Sequence, residues 1–103
     1  MKKVYISGPI TGMHELNIKA FEEAEKYINS VKGHIAVNPF NLDNDGCESW
    51  ESFMRRDIKA LMDCDRLVYL EGSMSSRGAQ LEIYIARSLF IPTITFIKFK
   101  EFH

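Results

Sequence analysis

The chain has little of several things: two cysteines, three prolines and one tryptophan among 103 residues, and no apolar run of bilayer length. Cys47 and Cys64 lack CxxC spacing, so two reduced thiols are expected rather than a disulfide framework or a thiolate metal site. Residues 1–10 begin with two lysines, but their apolar stretch stops at Ser7-Gly8-Pro9, too short for a signal or membrane segment. The expectation is a cytoplasmic protein with no membrane partner. Charge of one sign is also missing. Thirteen basic residues against fourteen acidic ones leave a formal charge of −1, and no like-charge block is long enough to track a nucleic-acid backbone. A nucleic-acid polymer is therefore disfavoured as partner. His14, His34 and His103 are scattered without metal-ligand spacing or a nucleophile partner, so no metal site, Ser/His triad or cofactor is expected.

What is present is an ordinary globular composition, 46% hydrophobic and 26% charged, with length for one core, so residues 1–103 read as a single domain. A core this small leaves apolar surface that a second subunit would cover, which favours a homo-oligomer. Residues 3–7 (KVYIS) run into Gly8-Pro9 and read as a buried strand ending in a turn. Over residues 14–31, Leu16, Ala20, Phe21, Ala24, Tyr27, Ile28 and Val31 follow helical spacing, with Gly33 just beyond the end. Residues 34–37 form a second strand halted by Asn38-Pro39, and a loop rich in Asn, Asp and Gly follows to Ser49. Ser49 caps a helix with Trp50, Phe53, Met54, Ile58, Leu61 and Met62 on one face, ending near Asp63. Residues 66–70 are a third strand, residues 77–89 a third helix, residues 93–97 a fourth strand, and residues 98–103 a short tail. Alternating strands and helices predict an α/β doubly wound, mainly parallel sheet with helices on both faces, and a ligand site in the loops at the carboxyl ends of its strands.

Those loops carry the candidate chemistry. Ser7-Gly8-Pro9-Ile10-Thr11-Gly12 supplies hydroxyls and two glycines whose backbone admits an anionic ligand, although it is neither GxGxxG nor a Walker motif. Ser75-Ser76-Arg77-Gly78-Ala79 opens the last helix at the same sheet edge, where free N–H groups favour an anion; Ser76 acting only as a cap explains it equally well. Glu82, six residues past Ser76, shares a helix face with the small Ala79 and Ala86 and, more loosely, Gly78, leaving room beside its carboxylate. Asp57 belongs either to a site or to the solvated face of its helix, paired with Lys59 or Arg56. Tyr5 either packs in the core or extends its hydroxyl to the site.

Tyr5-Ile6-Ser7-Gly8-Pro9-Ile10, the Asn38-Pro39 turn, Asp57 with the later Asp63-Cys64-Asp65, and Ser76-Arg77-Gly78-Ala79-Gln80-Leu81-Glu82 together resemble the nucleoside 2-deoxyribosyltransferase-like superfamily. The resemblance spans nearly the whole chain. It is greatest to a short branch common in phage and prophage genomes, and it extends to the 2′-deoxynucleoside 5′-monophosphate N-glycosidases. It implies a flavodoxin-like sheet and a retaining double displacement, with Glu82 attacking C1′ of the sugar of a 2′-deoxynucleoside or its 5′-monophosphate. Asp57 would position the sugar or protonate the leaving base, Tyr5 would orient Glu82, and Gly8, Ile10 and Ser76 would surround the sugar and any 5′-phosphate; Ser7 and Gly78 complete the candidate binding residues. The sequence departs from relatives in carrying Gln80 and Tyr84 where glycines commonly flank the glutamate, so a reshaped pocket is expected, and in ending at His103 without the longer C-terminal segment by which relatives help complete a neighbouring subunit's site. Three readings follow: a glycosidic enzyme, a non-catalytic nucleotide or nucleotide-sugar binding module, or an interaction subunit whose Trp50, Phe53, Phe96, Phe99 and Phe102 form a partner surface.

Overall fold

Successive side chains of the first strand point to opposite layers, and each layer is closed by a pair of helices. The structure, a computed structural model, describes residues 1–103. Its elements in order are β1 (Lys2–Ser7), α1 (Ile18–Ser30), β2 (His34–Val37), α2 (Trp50–Met62), β3 (Arg66–Tyr69), α3 (Arg77–Ser88), β4 (Thr93–Thr95) and α4 (Phe96–Phe102), with 3-10 turns at His14–Asn17, Pro39–Asn41 and Ser73–Ser75. All strand pairings are parallel, in the order β2-β1-β3-β4. This is the expected α/β flavodoxin-like arrangement. Val4 and Ile6 of β1 and Val68 of β3 join Leu70 against Phe21, Ala24 and Ile28 of α1 and Phe99 of α4. Tyr5 and Leu67 face the other way, onto Leu61 of α2 and Ile83 and Ala86 of α3. The period of two along a strand divides the core into these two layers.

Local chemistry sets the helix starts. Ser49 accepts a hydrogen bond from Ser52 N at 3.1 Å while Ser52 Oγ accepts from Ser49 N at 2.9 Å, a reciprocal cap that starts α2. Gly8 is required by close packing: a Cβ there would lie 2.9 Å from Leu70 Cδ1, so the ends of β1 and β3 approach only because that position is bare.

Two expectations are corrected. The helix expected over residues 14–31 begins at Ile18, because Glu15, Leu16 and Asn17 have φ of 49°, 56° and 64°. Asn17 Nδ2 donates to Pro9 O at 3.0 Å, tying this left-handed turn to the loop after β1. Leu16, which fitted the helical spacing, is consequently half exposed. At the other end, β4 stops at Thr95 and the expected tail is α4. Thr95 Oγ1 accepts from Lys98 N at 3.1 Å, capping that helix. Phe99 is fully buried, and Phe96 and Phe99 meet Tyr27 edge-on at 5.9 and 6.2 Å between ring centroids. Two of the five aromatics expected on a partner surface thus pack inside the chain, because the cap starts a helix where β-branched and aromatic residues suggested a longer strand. No helix is long and apolar enough to cross a membrane.

Since Phe99 closes the α1 layer, Phe99→Ala should lower the unfolding free energy by about 3–5 kcal/mol in urea titration, against about 0.5 kcal/mol for a solvated tail.

Candidate functional site

In an order β2-β1-β3-β4, the chain leaves β1 toward one edge of the sheet and β3 toward the other, opening a crevice between their carboxyl ends. A cavity of about 920 Å³ occupies this end of the molecule. Gly8, Ile10 and Thr11 after β1 form one wall, Phe40 and α2 another, and Ser76, Gly78 and Glu82 of the α3 end the third.

Glu82 is one and a half turns into α3 and only 5% exposed. Tyr5 and Ser7, two apart on β1, present their hydroxyls on the same side of the strand. Tyr5 Oη donates to Glu82 Oε2 at 2.6 Å, and Ser7 Oγ donates to Glu82 Oε1 at 2.7 Å. Burial pushes the Glu82 carboxyl up to about 7; the two hydroxyls pull it down and the charge of Asp57 adds to the rise. The Tyr5 phenol is held well above its ordinary value by burial and by the charges of Glu82 and Asp57, so it remains a neutral donor.

Asp57, 6% exposed, is an interior acid rather than a member of the solvated face of α2. Arg56 Nε and Nη2 reach Asp57 Oδ1 at 3.0 and 2.9 Å. Burial raises the Asp57 carboxyl and the Arg56 guanidinium opposes that rise. At the mouth, the Arg77 guanidinium lies over the Trp50 ring, 3.7 Å from its centroid. Ser76 Oγ accepts from Ala79 N at 3.3 Å and caps α3. Gly78 lets the helix starts approach, since a Cβ there would lie 3.2 Å from Met54 Sδ.

The structure gathers Asp57, Glu82, Gly8, Ile10, Ser76 and Gly78 on one cavity. Tyr5 and Ser7 stand behind Glu82 and do not line it; Ser7, 1% exposed, gives its hydroxyl to the carboxylate rather than to a ligand. Trp50 and Phe53, expected on a partner surface, line the cavity instead. Their spacing with Asp57, at i, i+3 and i+7 of one helix face, is the signal that could have found them. Phe40 and the cavity role of Arg56 had no such signal. Gln80 and Tyr84, expected to reshape the pocket, do not line it, because two residues along a helix turn about 200° away from Glu82. No group of three or more His, Cys, Asp or Glu side chains converges in a way that could hold a metal ion.

The raised Glu82 carboxyl means that the folded chain binds this proton more tightly than the unfolded one. Its contribution to stability is fully present below the ordinary value of 4.5 and is lost as pH rises toward about 7. Relative to Glu82→Gln, the wild type should lose on the order of 3 kcal/mol across that window in urea titrations.

No curated protein matches the chain by sequence. In structure it is similar to a 2-desoxiribosyltransferase from Leishmania mexicana, with a TM-score of 0.71 at 15% identity, covering 92% of this chain and 63% of that enzyme. At such identity the likeness is one of fold. The sequence matches the family described as Domain of unknown function (DUF4406) over residues 2–95, and the chain belongs to that family.

Proposed function

We propose that this chain cleaves or transfers the N-glycosidic bond of a 2′-deoxynucleoside or its 5′-monophosphate, with Glu82 as the nucleophile of a retaining double displacement. The observation that carries this reading is a buried carboxylate at the cavity wall with each oxygen fixed by a hydroxyl donor. Such a group is aimed without being neutralised by a cation. Ionised Glu82 attacks C1′, and the C1′–N bond breaks with its electron pair leaving on the base, which takes a proton from water. Water then attacks C1′ of the glycosyl ester, giving the free sugar, a proton and the Glu82 carboxylate; a second base in place of water gives transfer. Tyr5 and Ser7 orient Glu82, and Asp57 stands near the sugar. Gly8, Ile10, Ser76 and Gly78, all on the cavity wall, fit contacts with the sugar and any 5′-phosphate. The likeness in fold to a 2-desoxiribosyltransferase supports the substrate class.

A second reading, a non-catalytic nucleotide-binding module, is favoured by one observation: Asp57 is already paired with Arg56 and so is poorly suited to protonate a leaving base.

Chromatography of 2′-deoxynucleosides and their 5′-monophosphates, incubated with and without an acceptor base, separates the two. Free or exchanged base is expected with the wild type, and Glu82→Gln should reduce kcat by on the order of 10³-fold or more while remaining folded. Stoichiometric binding without base release would establish the module instead. Because the nucleophile must be ionised, kcat/KM should rise about tenfold per pH unit below about 7 and level off above it.

A further inference from the structure

Arg56 is bound more heavily than a solvated helix cation. Its side chain is 18% exposed. Besides its two bonds to Asp57 Oδ1, Nη2 donates to Pro39 O at 3.1 Å and Nη1 donates to Asn44 Oδ1. One guanidinium therefore joins α2 to the turn after β2 and to the loop that leads into α2. Its approach to Asp57 is one-sided. Both donors fall on Oδ1, and no protein hydrogen bond reaches Oδ2. No fully buried polar side-chain atom lacks a partner, so Oδ2 is not sealed in the interior; with Asp57 on the cavity wall, that oxygen opens to the cavity. A carboxylate with one oxygen saturated by a guanidinium and the other open is built to accept a hydrogen bond. Protonating it would weaken its attraction to a cation 2.9 Å away.

We propose that Arg56 is a positioning residue, which holds Asp57 as a carboxylate with Oδ2 turned to accept a hydrogen bond from a hydroxyl or amino group of the ligand. This rests on the cavity being the nucleoside site, and it assigns Asp57 to binding the substrate rather than protonating the base. The other charged groups that line the cavity with Asp57 are Glu82 and Arg77 of α3; the charge of Asp57 is felt at Glu82 and at the neutral Tyr5 of β1 behind it, while the Arg77 guanidinium lies over Trp50. Neither Glu82 nor Arg77 bonds Asp57, whereas Arg56 touches it directly. Burial raises the Asp57 carboxyl, and Arg56 is the one side chain in contact that opposes the rise and fixes the carboxylate's orientation.

The test reads Asp57 itself. Carboxyl carbons of ¹³C-labelled aspartate are followed by NMR against pH in the full chain, with the Asp57 signal assigned by its loss in Asp57→Asn. In Arg56→Gln the midpoint should rise by about 1–3 pH units, and Arg56→Lys, which keeps the charge and loses the planar fork, should rise less. An unchanged midpoint in folded Arg56→Gln overturns the proposal. If that variant does not fold, Arg56→Lys decides: a small rise supports the assignment and no movement overturns it. The titration needs no turnover, so absence of base release in the wild type would count against the proposed function and leave this measurement decisive. Where turnover is present, Arg56→Gln should lower kcat/KM by about 10²-fold, mostly through KM, and add no further loss in an Asp57→Asn background. An equal loss in that background would reduce Arg56 to a structural tie between loops and overturn the assignment.

Discussion

A carboxylate enclosed by protein must find its hydrogen bonds within the protein or take up a proton, and Glu82 is where this chain meets that constraint. With about 5% of the residue exposed, its oxygens depend on the hydroxyls of Tyr5 and Ser7. Both come from β1, an inner strand paired in parallel with β2 on one side and β3 on the other. Moving β1 by one residue in register would turn both hydroxyls into the opposite layer and bring Val4 and Ile6 to the acid. The position of the carboxylate thus requires the register of the sheet, and that register is held by the apolar side chains of both layers.

The rest of the cavity follows from how closely the surrounding elements approach. A bare Gly8 brings the loop after β1 against Leu70, and a bare Gly78 brings the start of α3 against Met54. Asp57 is carried into the same space by α2, with its charge answered by the neighbouring Arg56. Two acids then line one cavity under different conditions: hydroxyl donors hold Glu82, and a guanidinium holds Asp57. Burial raises both carboxyls, but only Asp57 has a cation in contact, and its charge in turn raises Glu82. That difference divides the two acids between attack on the sugar and binding of the substrate in the proposed chemistry.

The left-handed turn at Glu15–Asn17 and the final helix show where local pattern was a poor guide. Leu16 stands four residues before Ala20 and so fitted a helical face, yet the hydrogen bond that Asn17 Nδ2 donates to Pro9 O ties down a left-handed turn there instead. Residues 93–97 (TITFI) carry strand-forming side chains throughout, and the hydroxyl of Thr95 still ends the strand by capping a helix. In both places one polar side chain near an element boundary outweighed the apolar spacing around it. Trp50 and Phe53 show a different limit: their shared helix face was legible, but whether that face met a partner or a cavity depended on the loops opposite.

The sequence by itself determined the alternation of strands and helices, the caps at Ser49 and Ser76, and the loops in which to look for a ligand, because propensity, capping and side-chain periodicity act over a few residues. It also singled out Glu82 and Asp57, since an acid on an otherwise apolar or small-residue face requires explanation. Only the tertiary structure decided that Ser7 serves the carboxylate rather than a ligand, that Phe99 belongs to the core, and that Arg56 joins Asp57 to two loops. Tyr5 and Ser7 lie 77 and 75 residues from Glu82 along the chain. Contacts of that span carry no local signature, and they arise when parallel pairing and packing bring separate loops to one end of the sheet.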